Sequence, residues 1–134
     1  MAPTHRVLVV DDDEALRSVY SRVLTKEGYT VQMAASAEDA LAYVKQERPD
    51  AILLDLRMPL INGVGFLYRL RAQTAHRHTP VAIITGDSCI DDPALSELHG
   101  LEAEVCFKPM WIDEVITLTR SLLAKRRPVD PLLS

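Results

Sequence analysis

The residues best suited to chemistry here are carboxylates. Asp11, Asp12, Asp13 and Glu14 follow one another, and Asp55 stands by itself after an apolar run. If folding gathers such groups, they repel: two charges 4 Å apart cost roughly 1 kcal/mol in water and about 4 at an effective dielectric near 20. A cation removes that cost. Oxygen-only ligands with a carboxylate pair suit a hard ion such as Mg²⁺, which takes six ligands and keeps some waters. Two further segments supply what such a site needs to accept a phosphoryl group. Lys108, before Pro109, offers a second positive charge, and Thr85 a hydroxyl donor. Gly86 has no side chain to obstruct incoming oxygens. Charge neutralisation and positioning are most of what phosphoryl transfer demands. Asp55 is the nucleophile candidate, because Asp11 and Asp12 can hold the metal.

Each of these segments follows a short apolar run. The runs are Val7–Val10, Ala51–Leu54, Val81–Ile84 and Glu104–Phe107. The first three are continuous, the mark of parallel strands buried on both faces. Thr30–Ala34 alternates instead, as an edge strand with one wet face does. Helical spacing fills the intervals. Leu16, Val19, Tyr20, Val23 and Leu24 make one stripe, closed by Gly28. Ser36 caps a second helix carrying Ala37, Ala40, Leu41 and Val44, and Phe66, Leu67 and Leu70 mark a third. Asp92-Pro93 opens a fourth that ends near Gly100, and Ile112, Val115, Ile116, Thr119, Leu122 and Leu123 line a fifth. Alternating strands and helices predict a flavodoxin-like, doubly wound α/β domain of five parallel strands in the order 2-1-3-4-5, with five helices. Its switch point lies between strands 1 and 3, where ligands bind beyond the carboxyl ends of the strands. All the candidate groups follow strand ends on that side.

The whole chain agrees with one domain of ordinary composition. It has 134 residues, 48% hydrophobic and 25% charged, with a net charge of −4. That balance gives no reason to expect a nucleic-acid or membrane surface. The apolar runs are far short of a membrane span, and the N-terminus lacks the pattern of a signal peptide, so a cytoplasmic location is expected. Cys89 and Cys106 lack zinc spacing and read as free thiols, Cys106 buried. Residues 126–134 have no periodicity and read as a tail or the start of a linker.

The ordered set of motifs resembles the receiver domain of two-component response regulators, in its single-domain, chemotaxis-regulator-like form. The matching residues are Val9-Val10-Asp11-Asp12-Asp13, Leu54-Asp55-Leu56-Arg57-Met58-Pro59 with Asn62-Gly63, Ile84-Thr85-Gly86 and Lys108-Pro109. The resemblance covers residues 5–125. It implies that Asp55 takes a phosphoryl group from a sensor histidine kinase or phosphotransfer protein. It implies Mg²⁺ on Asp12, Asp55 and the backbone carbonyl of Arg57, with Asp11 acting through water. Thr85 and Lys108 would contact the phosphoryl oxygens, and the Lys108–Pro109 bond would be cis. The product would be a switch read by an effector protein or a fused output domain, and the chain would not be an enzyme beyond its own phosphorylation and dephosphorylation. Two positions depart from the pattern. The aromatic expected three residues before the lysine is Val105, with Phe107 beside the lysine instead. Where Phe usually follows Lys-Pro, this chain has Met110-Trp111. Val105, Phe107 and Trp111 are therefore the candidates for reading the switch.

Several residues have plainer roles. Asp13 or Glu14 is expected to cap the first helix. His76 and His78 read as solvated loop histidines, Lys125-Arg126-Arg127 as a solvated helix end, and Trp111 by default as cover for the core edge. Arg57 and Asp87, each two residues past a site residue, are expected to form an ion pair over the site. A haloacid-dehalogenase-like phosphatase would also use an aspartate nucleophile, but it needs a second aspartate where Arg57 stands. A receiver-like interaction module without phosphorylation would be expected to have lost one of the five site residues, and all five are present.

Overall fold

The computed structural model describes residues 5–56, 60–86 and 91–125, excepting the side chains of 55, 56 and 60–62. Five strands alternate with helices: β1 (Arg6–Val10), α1 (Glu14–Lys26), β2 (Thr30–Ala34), α2 (Ala37–Gln46), β3 (Ala51–Leu56), α3 (Leu60–Ala72), β4 (Val81–Thr85), α4 (Asp92–Gly100), β5 (Ala103–Phe107) and α5 (Ile112–Ala124). One 3₁₀ turn, Thr74–His76, lies between α3 and β4. The sheet is parallel throughout, in the order β2-β1-β3-β4-β5. This is the expected flavodoxin-like topology.

The continuous apolar runs are explained by two cores, one on each face. Leu8, Val10, Ile52, Leu54, Val81 and Ile83 pack against α2, α3 and α4 through Ala40, Val44, Phe66, Leu67, Leu70 and Leu98. The alternate residues Val7, Val9, Ala51, Leu53, Ala82 and Ile84 pack against α1 and α5 through Tyr20, Leu24, Val115, Leu118 and Leu122. Every second residue of a strand points to the same face, so a strand covered on both faces has to be apolar throughout. Burying each large side chain contributes about 1.5–3 kcal/mol.

Caps place the helix ends. Asp13 Oδ1 accepts from the N–H groups of Ala15 (2.9 Å) and Leu16 (3.3 Å), and Ser36 Oγ from that of Asp39 (3.1 Å). Gly28, at φ +96°, closes α1. The Tyr29 N–H returns to the Leu24 carbonyl and that of Gly28 to Thr25, a wrap that needs a left-handed residue at Gly28. α4 ends at Gly100, as expected, and the left-handed residue that follows it is Glu102, at φ 59°.

The predicted stripes prove wider than the buried faces. Val19 is 41% exposed on α1 and Ile112 54% on α5, while Tyr20, Leu24, Val115, Leu118 and Leu122 are buried. Cys106 is half-buried rather than fully buried, and burial with Glu114 nearby pushes its thiol pKa up.

Candidate functional site

Strand order and register bring the predicted groups to one edge of the sheet. Val10 of β1 is paired with Leu54 of β3, so Asp11 and Asp55 follow neighbouring strand positions. On the other side Asp55 pairs with Ile84 and Leu56 with Thr85. Thr85 in turn pairs with Phe107, the residue before Lys108.

The turn after β1 separates its acids by role. Asp11 is fully buried, and its backbone N–H donates to the Ala34 carbonyl at 3.1 Å. Its Oδ1 accepts from the Asp13 N–H at 2.8 Å. Asp12 is exposed at the mouth of the site, and Asp13 turns away to cap α1. A single turn therefore offers one inward and one outward carboxylate. Sequence reasoning missed Arg17 here. Its Nη1 donates to the Asp11 carbonyl at 2.6 Å. The available signal was its place one turn past the cap, where the Arg17 N–H bonds the Asp13 carbonyl.

On the opposite side Thr85 is 2% exposed, at the end of β4. Its carbonyl accepts from the Lys108 N–H at 2.8 Å, which locks β5 to β4 at the site. The half-buried Lys108 side chain runs across Gly86: a Cβ at that glycine would lie 3.8 Å from Lys108 Cδ. The lysine stem thus follows the glycine toward the end of β4. The Lys108–Pro109 bond is cis, as the resemblance implied.

The Asp55 side chain and the residues Arg57, Met58, Pro59, Asp87 and Cys89 lie outside the described residues, as do 126–134. The expected Arg57 carbonyl ligand and the Arg57–Asp87 ion pair fall among them. Among the described residues no three His, Cys, Asp or Glu side chains form a group able to hold a metal ion. The carboxylates that β1 presents, one buried and one exposed, are oxygen donors without sulfur or imidazole. With Asp55 following the adjacent strand position, the donor chemistry fits a hard divalent cation.

The proposed readout residues separate. Val105 is half-buried and packs against the α2–α4 core, while Phe107 and Trp111 are 47% and 71% exposed. Trp111 therefore does not cover the core edge. It occupies the N-cap position of α5 without a side-chain cap bond.

One expectation is overturned away from the site. His76 is buried, not solvated, at 1% exposure. One ring nitrogen, Nε2, lies 2.9 Å from the Val44 carbonyl and so carries the proton, while Nδ1 lies 3.1 Å from Thr79 Oγ1. Burial, then Arg48 and Arg71, lower its pKa against the opposing bond to Val44. Arg71 completes this knot, donating to the carbonyls of His76 (2.9 Å), Thr79 (2.6 Å), Leu101 (2.9 Å) and Glu102 (3.2 Å). His78 is exposed as expected, paired with Glu102 at 2.9 Å. At the far end of α5, Lys125 pairs with Glu104.

Comparison with known proteins decides the family. Residues 7–119 match the model of the response regulator receiver domain. The chain belongs to that family. Receiver-containing relatives include the response regulator MprA of Mycobacterium avium, 32% identical over 128 residues, covering 93% of this chain and 54% of the relative. The transcriptional regulatory protein PrrA of Mycobacterium tuberculosis is 36% identical over 124 residues, covering 90% and 51%. The receiver domain here thus spans about half the length of the curated relatives it matches. Among solved structures, the chemotaxis response regulator CheY4 of Vibrio cholerae superposes with a TM-score of 0.80 at 28% identity, covering 90% of this chain and all of that one. Receiver domains are signalling domains of two-component systems, and this one has the same five-stranded architecture. No helix among the described residues is long and apolar enough to cross a membrane.

Proposed function

We propose that this receiver domain accepts a phosphoryl group on Asp55 from a phosphohistidine of a sensor kinase or phosphotransfer protein, and that the modified aspartate switches a partner-binding face. The observation that supports this most is the convergence of Asp11, Asp12, Thr85, Gly86 and Lys108 at the strand ends flanking Asp55.

In this reading an Asp55 carboxylate oxygen attacks phosphorus, the P–N bond breaks, and its electron pair leaves with the imidazole. Water later cleaves the acyl phosphate and restores the carboxylate. Asp12, Asp55 and the Arg57 carbonyl would hold Mg²⁺, with Asp11 acting through a water, and the ion would supply charge neutralisation on the phosphoryl oxygens. The Lys108 ammonium offsets the remaining negative charge, since its stem already lies along Gly86. The Thr85 hydroxyl donates to a phosphoryl oxygen, which draws on the loop leading to α4. Phe107 and Trp111 are exposed and Val105 packs against the core, which supports these three as the residues that present the change.

The domain is taken as residues 5–125, with 126–134 as tail or linker start, leading to a separate effector or a fused output domain. A cytoplasmic location follows from the kinase partner. The test is phosphoryl incorporation from acetyl phosphate with and without Mg²⁺. Incorporation should require the ion and should collapse in Asp12→Ala. Equal incorporation after chelation of all divalent metal would refute the metal-dependent site.

A further inference from the structure

We infer that Arg17 is a positioning residue for the metal, acting through the backbone on either side of Asp12; this rests on the function proposed above. Asp12 is the exposed acid of the turn, and its side-chain direction depends on the two peptide planes that flank it. Both planes are held. The plane after Asp12 carries the Asp13 N–H, which donates to Asp11 Oδ1 at 2.8 Å. The plane before it carries the Asp11 carbonyl, which accepts from Arg17 Nη1 at 2.6 Å. The first restraint arises within the turn itself. The second comes from α1, and α1 is fixed in turn by the Asp13 cap and by Tyr20 and Leu24 in the core. Arg17 thus connects a packed helix to the carboxylate that faces the metal.

The guanidinium is also a permanent positive charge beside an acidic turn, and the two effects have opposite signs. As a charge alone, Arg17 opposes a cation, so its removal would tighten metal binding. As a restraint, it holds Asp12 ready, so its removal loosens binding. We assign the second effect the greater weight, because the bond fixes a peptide plane adjoining the ligand, and loss of groups that orient a ligand typically weakens metal affinity about 10–100-fold. The restraint should matter most for an ion that demands strict geometry. Mg²⁺ requires near-octahedral coordination at short distance, whereas Ca²⁺ accepts longer and irregular contacts. Arg17 therefore sets selectivity as well as affinity.

The experiment is calorimetric titration of the full chain with Mg²⁺ and, separately, with Ca²⁺, for wild type, Arg17→Met, Arg17→Gln and Asp12→Ala. A melting curve in metal-free buffer shows that each variant is folded at the titration temperature. Arg17→Met should weaken Mg²⁺ about tenfold and Ca²⁺ by less than about threefold. Arg17→Gln, which keeps one donor on a shorter stem, should fall between, and it carries the same test if Arg17→Met does not fold. Unchanged or tighter Mg²⁺ binding in the folded Arg17 variants, or equal losses for the two ions, would overturn the positioning role. Asp12→Ala separates the two readings. If it loses Mg²⁺ while the Arg17 variants do not, only the role of Arg17 falls. If it keeps wild-type affinity, the metal site itself is wrong.

Discussion

Arg71 offers the sharpest stability test, because one half-buried side chain ties together three separate segments. Its guanidinium, on α3, bonds the carbonyls of His76 and Thr79 before β4 and those of Leu101 and Glu102 after α4. Arg71→Met keeps most of the stem and removes all four bonds. Bonds to a charged donor contribute about 1.5–3 kcal/mol each, and ordinary ones about 0.5–1.5. The carbonyls at this edge regain water, and the bond to Glu102 is exposed and long, so the lower part of the ordinary range, about 0.5–1 kcal/mol, applies to each. The expected loss is about 2–4 kcal/mol, a fall in Tm of about 5–15 °C for a domain of this size. Urea unfolding followed by circular dichroism measures it. Native-state hydrogen exchange should show faster exchange in the Leu101–Glu102 turn before β5. A loss under about 1 kcal/mol, or exchange that accelerates uniformly, would mean that the four contacts add little and that α4 is held by Leu98 and its neighbours instead.

Further consequences can be checked independently. His76 has a lowered pKa in the folded state, so as pH falls below about 6.5 the unfolded chain takes up the proton first. Its contribution to stability is complete above that pH and is lost as pH falls through the folded pKa, at no more than about 1.4 kcal/mol per pH unit. Urea unfolding at pH 7.5 and 5 should therefore show a steeper acid loss in wild type than in His76→Gln, and a shallower one would contradict the buried neutral ring. Gly28→Ala should cost about 1–2 kcal/mol, since φ +96° strains any side chain although no atom stands within 4 Å to clash with it; an unchanged urea midpoint would refute this. Trp111 is the only tryptophan and is 71% exposed, so its emission should shift when beryllofluoride loads Asp55. An unchanged spectrum with binding confirmed would place the readout elsewhere.

The fold was legible because the strands are short, apolar on both faces and followed by unlike polar groups. Val7–Val10 and Val81–Ile84 have no wet face, and that alone argues for helices on both sides. The gathering of the candidate groups at one edge was legible for a related reason. Register between parallel strands carries residues far apart in sequence to one edge, and Asp11, Thr85 and Lys108 are each found there. What the sequence hid was burial of polar side chains through backbone contacts. His76 and Arg71 find carbonyl partners from other segments, and carbonyls leave no trace in residue type. Arg17 was missed for the same reason. Helix stripes were overread at Val19 and Ile112, because apolar spacing marks a face but not how much of it a neighbour covers. At the end of α4, Gly100 marked the last helical residue, but the left-handed turn after it at Glu102 was not legible, because its carbonyl is held by Arg71 and its carboxylate by His78.

The central claim is that Asp55 carries the phosphoryl group, and intact-mass spectrometry on wild type and Asp55→Asn tests it most directly. Both proteins are incubated with acetyl phosphate and Mg²⁺ and measured within minutes. Wild type should gain the mass of one phosphoryl group and lose it again on standing, as an acyl phosphate hydrolyses, while Asp55→Asn stays unmodified. Full modification of Asp55→Asn, or none in wild type with Mg²⁺ bound, would contradict the account.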